Sequence, residues 1–137
     1  MMDETPFFTE IVEAHVAIQA WFCGQDSGDP DALASLLSRF SPQFSMITPA
    51  AAVLDFPALR ALFSQAGGRR PGLRIAVSDL RSIGLSAGGA TILYREHQVD
   101  GAGVASERWS TVVFERNAQG KILWRHLHET MGGVVFK

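Results

Sequence analysis

The sequence has very few cysteines and little clustered positive charge. Cys23 is the single cysteine, so no disulfide bond can form within one chain. The 12 lysine and arginine residues are outnumbered by 14 aspartate and glutamate residues, and Arg69-Arg70 is the one adjacent basic pair. Because nucleic-acid binding depends on clustered positive charge, we expect no nucleic-acid partner.

Long apolar runs are also missing. No stretch approaches the roughly 20 apolar residues that a membrane-spanning helix needs, so we expect no membrane partner. The first residues, Met-Met-Asp-Glu-Thr-Pro, are acidic where a signal peptide would be basic. With 47% hydrophobic and 19% charged residues, the 137-residue chain is apolar for a soluble protein. We therefore expect one cytoplasmic domain over residues 1–137, with an extensive core or a subunit interface.

Helix signals fill the first half of the chain. Thr5-Pro6 and Asp29-Pro30 are typical of helix starts, Gly24 is typical of a helix end, and a third helix is expected at residues 57–66. A short strand at residues 44–48 precedes Pro49. Four long β-prone runs follow, at residues 73–83, 90–99, 105–116 and 121–131. These elements predict an α+β fold, in which a four-stranded antiparallel meander follows three helices and curls around the first helix.

Two turns predict the register of the meander. The turn at residues 117–120 pairs Asn117 with Lys121, which sets His126 opposite Val112, His128 opposite Ser110 and Thr130 opposite Arg108. The turn at residues 100–103 sets Arg108 opposite Glu96 and Ser110 opposite Tyr94. A two-residue loop would instead place Arg108 against Arg95, a like-charge pair that costs stability. A slip of one residue would move every side chain to the other face of the sheet.

This register defines the candidate site on the inner face of the sheet. His126 and His128 are the candidate catalytic residues, since imidazoles titrate near neutral pH. The candidate ligand-binding residues are His15, Trp21, Tyr94, Glu96, Arg108, Ser110, Trp124 and Thr130. Arg108 either forms an ion pair with Glu96 or binds a ligand carboxylate. His15 is either a hydrogen-bonded core residue or part of the pocket, and we expect neither a metal nor a cofactor.

Three segments resemble the nuclear-transport-factor-2-like superfamily. They are the phrase Gly28-Asp29-Pro30-Asp31-Ala32-Leu33, the strand from Arg108 to Phe114, and the closing Trp124-Arg125-His126-Leu127-His128-Glu129-Thr130. The nearest branches are the SnoaL-like proteins and the calcium/calmodulin-dependent kinase association domain. The resemblance implies a conical α+β fold with a pocket between the curved sheet and the helices, and a homodimer formed through the outer sheet face. Thr48 stands where ketosteroid-isomerase-like members carry a carboxylate base.

Two functions are compatible with these features. The first is a SnoaL-like protein that binds a hydrophobic or carboxylate-bearing metabolite, and that could act on it as an isomerase, cyclase or dehydratase. The second is a non-catalytic association module with a vestigial pocket. The resemblance alone does not choose between them, because one fold hosts many functions.

Overall fold

The computed structural model describes residues 2–26 and 28–132. Three helices and six strands make up this part of the chain. They are α1 (Thr5–Cys23), α2 (Ala32–Leu37), β1 (Phe40–Ile47), β2 (Val53–Asp55), α3 (Phe56–Ala66), β3 (Arg74–Ser86), β4 (Gly89–Val99), β5 (Ala105–Arg116) and β6 (Ile122–Met131). None of these helices is both long enough and apolar enough to span a membrane.

The long first helix has clear sequence causes. Pro6 stands in its first turn, where the missing N–H of proline costs no hydrogen bond. Gly24 ends the helix in a left-handed conformation at φ 81°. The backbone N–H groups of Gly24 and Gln25 donate to the carbonyls of Trp21 and Ala20. At α3 the Asp55 carboxylate accepts a hydrogen bond from the backbone N–H of Ala58 at 3.0 Å.

The strands form one curved sheet in the order β2-β1-β6-β5-β4-β3. The strands β3 to β6 are the antiparallel meander, and the predicted α+β class is confirmed. The second helix begins at Ala32 after Asp31, rather than at Pro30 as predicted. Two details of the sheet also differ from the prediction. The strand β1 begins at Phe40 and runs parallel to β6, so the sheet is mixed. The strand β2 was not predicted, because three residues are too few to show an alternating pattern.

The core lies between the inner face of this sheet and the helices. Trp124 is its centre and is 2% exposed. Its ring lies 4.9 Å from the Phe114 ring, 5.9 Å from the Phe40 ring and 6.0 Å from the His15 ring, measured between centroids. Phe7 and Ile11 of α1 are also fully buried against this layer. The first helix therefore holds His15 against the middle of the sheet.

The register predicted for β4 and β5 is confirmed. Glu96 lies opposite Arg108, and Tyr94 lies opposite Ser110. The Asp100 turn has the expected form, since Asp100 and Val104 pair and Gly103 takes a positive φ of 86°. These pairs place four polar side chains together on the inner face.

The register predicted for β5 and β6 holds only as far as Trp124, which lies opposite Phe114. An extra residue, Arg125, then forms a β-bulge, and His126 lies opposite Val113 rather than Val112. Beyond the bulge the inner face carries Leu127 and Glu129. The prediction that His126, His128 and Thr130 face inward was wrong, because the bulge exchanges the two faces of the strand.

Candidate functional site

A cavity of about 300 Å³ lies between the inner sheet face and the helices α1 and α3. Most of its wall is apolar, and six of the apolar side chains are Phe22, Phe44, Met46, Leu59, Leu62 and Phe63. Polar side chains gather at the end formed by β4, β5 and β6, where His15, Glu96, Gln98, Arg108 and Glu129 line the space. An apolar wall with a few converging polar groups is typical of a small-molecule site.

His15 and Glu96 form a buried ion pair at this polar end. The His15 Nδ1–H donates to the carbonyl of Ile11 at 2.7 Å, and Nε2 lies 3.0 Å from a Glu96 carboxylate oxygen. The side chains are 7% and 6% exposed. Gln98 donates to the other Glu96 oxygen through its amide, and Arg70 donates to the Gln98 carbonyl oxygen at 3.1 Å. The network therefore occupies both carboxylate oxygens of Glu96.

The two partners shift each other's pKa in opposite directions. Burial alone would lower the pKa of His15, but the hydrogen bond and the charge of Glu96 outweigh burial and raise the pKa. Burial would likewise raise the pKa of Glu96, and the bond to His15 outweighs it and lowers the pKa. Between the ordinary glutamate pKa of 4.5 and the ordinary histidine pKa of 6.5, the pair is therefore an imidazolium facing a carboxylate.

Glu129 is the second buried carboxyl group at the polar end, at 5% exposure. Its neighbours are more distant than those of Glu96. Arg108 Nη1 lies 3.4 Å from one carboxylate oxygen of Glu129, and the Ser110 hydroxyl lies 3.4 Å from the other. Burial and the nearby negative charge of Glu96 raise the pKa of Glu129 to about 7, although Arg108 and His15 oppose the rise. Near neutral pH this carboxyl group can both donate and accept a proton.

Two polar atoms at this end are buried without a hydrogen-bond partner among residues 2–26 and 28–132. They are the Tyr94 hydroxyl oxygen and Nε of Arg108. Burial, followed by the charges of Glu96 and Glu129, raises the pKa of Tyr94 well above its ordinary value, although the neighbouring Ser110 hydroxyl and the charge of Arg108 oppose the rise. The Tyr94 hydroxyl is therefore protonated. Unpaired buried donors are costly. Arg108 lines the cavity and Tyr94 does not, so of these two groups it is Arg108 that a ligand in the cavity can approach.

The structure brings together only part of the predicted site. His15, Glu96, Arg108 and Trp124 line the cavity. Tyr94 and Ser110 are fully buried beside them on the inner face. Trp21 lies elsewhere, where its indole N–H donates to the carbonyl of Phe63 at 2.7 Å and its ring covers Gly67.

Of the two alternatives for Arg108, the ion pair with Glu96 is not found, although the two residues are neighbours across the strands. Glu96 pairs with His15, and Arg108 pairs with Glu129. Thr48 lies in the cavity wall, and its hydroxyl accepts a hydrogen bond from the backbone N–H of Ala52 at 3.1 Å. The position at which ketosteroid-isomerase-like proteins carry a carboxylate base is thus occupied here by a threonine, whose hydroxyl accepts a hydrogen bond within a turn.

His126, His128 and Thr130 lie on the outer face. The His126 ring is half-buried, and its Nδ1 lies 2.7 Å from the Ser45 hydroxyl. Burial and the positive charges of His128 and Arg125 lower the pKa of His126. In the described part of the chain, no three His, Cys, Asp or Glu side chains converge as metal ligands.

The sequence reasoning missed Glu129 and Gln98. The predicted register, with His126, His128 and Thr130 inward, leaves Glu129 on the outer face if the strand alternates regularly. One signal could have revealed the bulge: Trp124 and Leu127 are both large apolar residues, and an odd spacing of three cannot bury both in a regular strand. Gln98 carries no comparable signal, because its role depends on the ion pair that it faces.

The chain shares its fold and much of its sequence with a solved protein structure. No family model matches the chain, and no curated protein matches it. Among solved structures, an NTF2-like protein of unknown function from Pseudomonas aeruginosa is 48% identical, with a TM-score of 0.86. The match covers 93% of this chain and 98% of that protein.

Two more distant structures share the fold. An NTF2-like protein from Cytophaga hutchinsonii is 13% identical over 96% of this chain and 100% of its own, with a TM-score of 0.75. The calcium/calmodulin-dependent kinase II hub of S. rosetta is 16% identical over 90% of this chain and 95% of its own, with a TM-score of 0.63. At these identities the likeness concerns the fold alone.

Proposed function

The chain belongs to the NTF2-like family, and on that premise we propose that it binds a small, mostly apolar molecule with one polar end. The observation that carries this proposal is the cavity itself. Its wall is apolar along α3 and β1, and most of its polar groups, including His15 of α1, lie at the end formed by β4, β5 and β6. A cavity of about 300 Å³ matches a ligand of roughly ten non-hydrogen atoms, since a water molecule takes about 30 Å³ of the liquid.

The polar end also supports a role in proton transfer. Glu129 is buried beside a cation and titrates near neutral pH, which is the condition for a general acid or base. If the ligand is converted, Glu129 is the proton carrier and Arg108 holds developing negative charge. His126 and His128 have no part in this proposal, because they lie on the other face of the sheet.

A variant with a narrowed opening tests the binding proposal. Leu62 lines the cavity and is 45% exposed, so Leu62→Trp adds bulk at the opening without disturbing the core. Val12 is also 45% exposed and does not line the cavity, which makes Val12→Trp the matched control. In a thermal-shift screen, small amphiphiles should raise the melting temperature of the parent and of Val12→Trp. They should have little effect on Leu62→Trp, and equal responses from all three proteins would contradict the proposal.

A second function, association with another copy of the chain through the outer sheet face, is favoured by Trp109. This tryptophan is 40% exposed on the outer face, and the Arg95 guanidinium lies 5.0 Å from its ring centroid. Exposed aromatic side chains are enriched in protein interfaces. The mass of the protein in solution should therefore fall to that of one chain in Trp109→Glu, and a monomeric parent would refute association.

A further inference from the structure

The guanidinium group of Arg108 has unfilled hydrogen-bonding capacity. Its contact with the Glu129 carboxylate is 3.4 Å, whereas charge-assisted N–H···O bonds are about 2.7–2.9 Å. Its Nε has no partner in the part of the chain that the structure describes. A guanidinium group has five N–H donors, so Arg108 can bind a second carboxylate without any rearrangement of the strands.

We propose that the ligand carries a carboxylate that binds Arg108, and that Glu129 takes up a proton from solvent as this ligand binds. This proposal rests on the proposed binding function and names the class of ligand, an apolar carboxylic acid in its ionised form. The carboxylate would lie at the polar end and the apolar part against Phe44, Met46 and Phe63.

Proton uptake follows from the charges at the polar end. Glu129 is faced by groups on three elements: Arg108 and Ser110 of β5, Tyr94, Glu96 and Gln98 of β4, and His15 of α1. His15 compensates Glu96, and Arg108 compensates Glu129. A ligand carboxylate adds one negative charge to this buried group, and two carboxylates that share one cation repel each other until one is protonated. Arg70 at the exposed rim is too well solvated to supply the missing charge.

Glu129, not Glu96, is the group that takes the proton. Glu96 is held by His15 and Gln98, which lower its pKa, while burial already raises the pKa of Glu129 to about 7. A protonated Glu129 would then donate its O–H to the ligand carboxylate. The ligand would thus be held by a cation and by a neutral acid, with no net charge left buried.

The consequence is a ligand affinity that depends on pH. A free carboxylic acid titrates near about pH 4, so the ligand itself stays ionised between about pH 6 and pH 8. Below about pH 7 Glu129 is already protonated and the affinity should be constant. Above that pH each unit should weaken binding by up to about tenfold, because the proton must be taken from solvent.

Isothermal titration calorimetry with octanoate and octanol tests this inference. Both probes have eight carbon atoms in an unbranched chain, and they differ in charge. Near pH 8, the octanoate binding enthalpy should change with the ionisation enthalpy of the buffer, phosphate or Tris, with a slope close to one proton taken up. Near pH 6 the slope should approach zero, and octanol should give no slope at either pH. A slope of zero for octanoate near pH 8 would overturn the proposal.

Two variants test which side chain takes up the proton and which one binds the ligand carboxylate. Glu129→Gln should bind octanoate near pH 8 with no proton uptake and with the affinity that the parent shows near pH 6. The control Glu107→Gln removes an exposed outer-face carboxylate and should behave as the parent. Arg108→Gln should weaken octanoate at least tenfold and leave octanol within about twofold. Unchanged proton uptake in Glu129→Gln would overturn the assignment.

The outcomes also separate this inference from the binding function on which it rests. If octanol and octanoate bind equally well without proton uptake, the cavity binds small molecules but the carboxylate inference is wrong. If neither probe binds and Leu62→Trp responds to amphiphiles as the parent does, the proposed binding function itself is wrong.

Discussion

The two faces of strands β4, β5 and β6 carry similar charged groups with opposite consequences. On the outer face Arg95 and Glu107 approach to 2.7 Å, with side chains 36% and 44% exposed. On the inner face Arg108 and Glu129 are 3.4 Å apart, with side chains 19% and 5% exposed. Glu129 has the longer contact with its cationic partner, and it is also the carboxyl group with the large pKa shift. Burial, rather than the distance between the partners, therefore decides what these charges do.

The same contrast holds for the histidines of the two faces. His15 makes two hydrogen bonds in the core, to Ile11 and Glu96, while His97 lies 3.3 Å from Glu107 at the surface. Exposed ion pairs contribute about 0–1 kcal/mol to stability, whereas removal of one partner of a buried pair costs about 3–5 kcal/mol. Matched substitutions on the two faces can therefore measure how much more the buried ion pairs contribute to stability than the exposed ones.

The largest effect is expected at His15. His15→Leu leaves the Glu96 carboxylate buried without its cation and should lower the free energy of unfolding by about 3 kcal/mol near pH 6. The matched change His97→Leu removes an exposed contact and should stay within about 0.5 kcal/mol. Urea unfolding followed by circular dichroism measures both, and similar losses for the two variants would contradict the contrast between the faces.

The pH at which His15→Leu is tested follows from the signs of the shifts. The pKa of Glu96 is lowered in the folded state, so its stabilisation is present above the ordinary glutamate pKa of 4.5 and is lost as pH falls through the folded value. The pKa of His15 is raised, so its stabilisation is complete below the ordinary histidine pKa of 6.5 and is lost as pH rises through the folded value. The pair therefore contributes most between pH 4.5 and pH 6.5.

A smaller effect of opposite sign is expected at Glu129. Its folded pKa of about 7 lies above the ordinary glutamate value of 4.5, so the folded state binds the proton more tightly and loses stability as pH rises between these values. Glu129→Gln should therefore gain about 2 kcal/mol relative to the parent when the pH is raised from about 5 to about 8. The outer-face control Glu107→Gln should show no such gain. If Glu129→Gln gains no stability relative to the parent between about pH 5 and about pH 8, the raised pKa of Glu129 is refuted.

The smallest effect is expected at His126 and His128, the two histidines that the sequence suggested as catalytic residues. His126→Ala removes the contact with Ser45 and should cost about 1 kcal/mol of stability, while His128→Ala changes an exposed side chain. Neither should alter the binding of an amphiphile, because both lie on the face away from the cavity. A loss of affinity in either variant, measured by calorimetry beside the parent, would show that the outer face carries the site.

These residues also show how far the sequence determines the site. The α+β class, the long helix and the meander follow from periodicity and turn residues, and the Glu96–Arg108 register follows from a like-charge pair that the alternative would create. The bulge at Arg125 is marked only by the odd spacing of Trp124 and Leu127, and regular alternation along the ten residues of β6 placed His126 and His128 in the site instead of Glu129. The partner of Glu96 was also out of reach, because His15 lies 81 residues away in the chain and its approach depends on packing.

The protonation of Glu129 on the inner face is measured most directly by NMR titration of its carboxyl carbon. The protein would be labelled with ¹³C in its glutamate side chains, and Glu129→Gln would identify the resonance by its loss. We predict a midpoint near 7 for Glu129, because burial and Glu96 disfavour its charged form. A midpoint near the ordinary value of 4.5 would contradict the account and leave the inner face no different in its chemistry from the outer face.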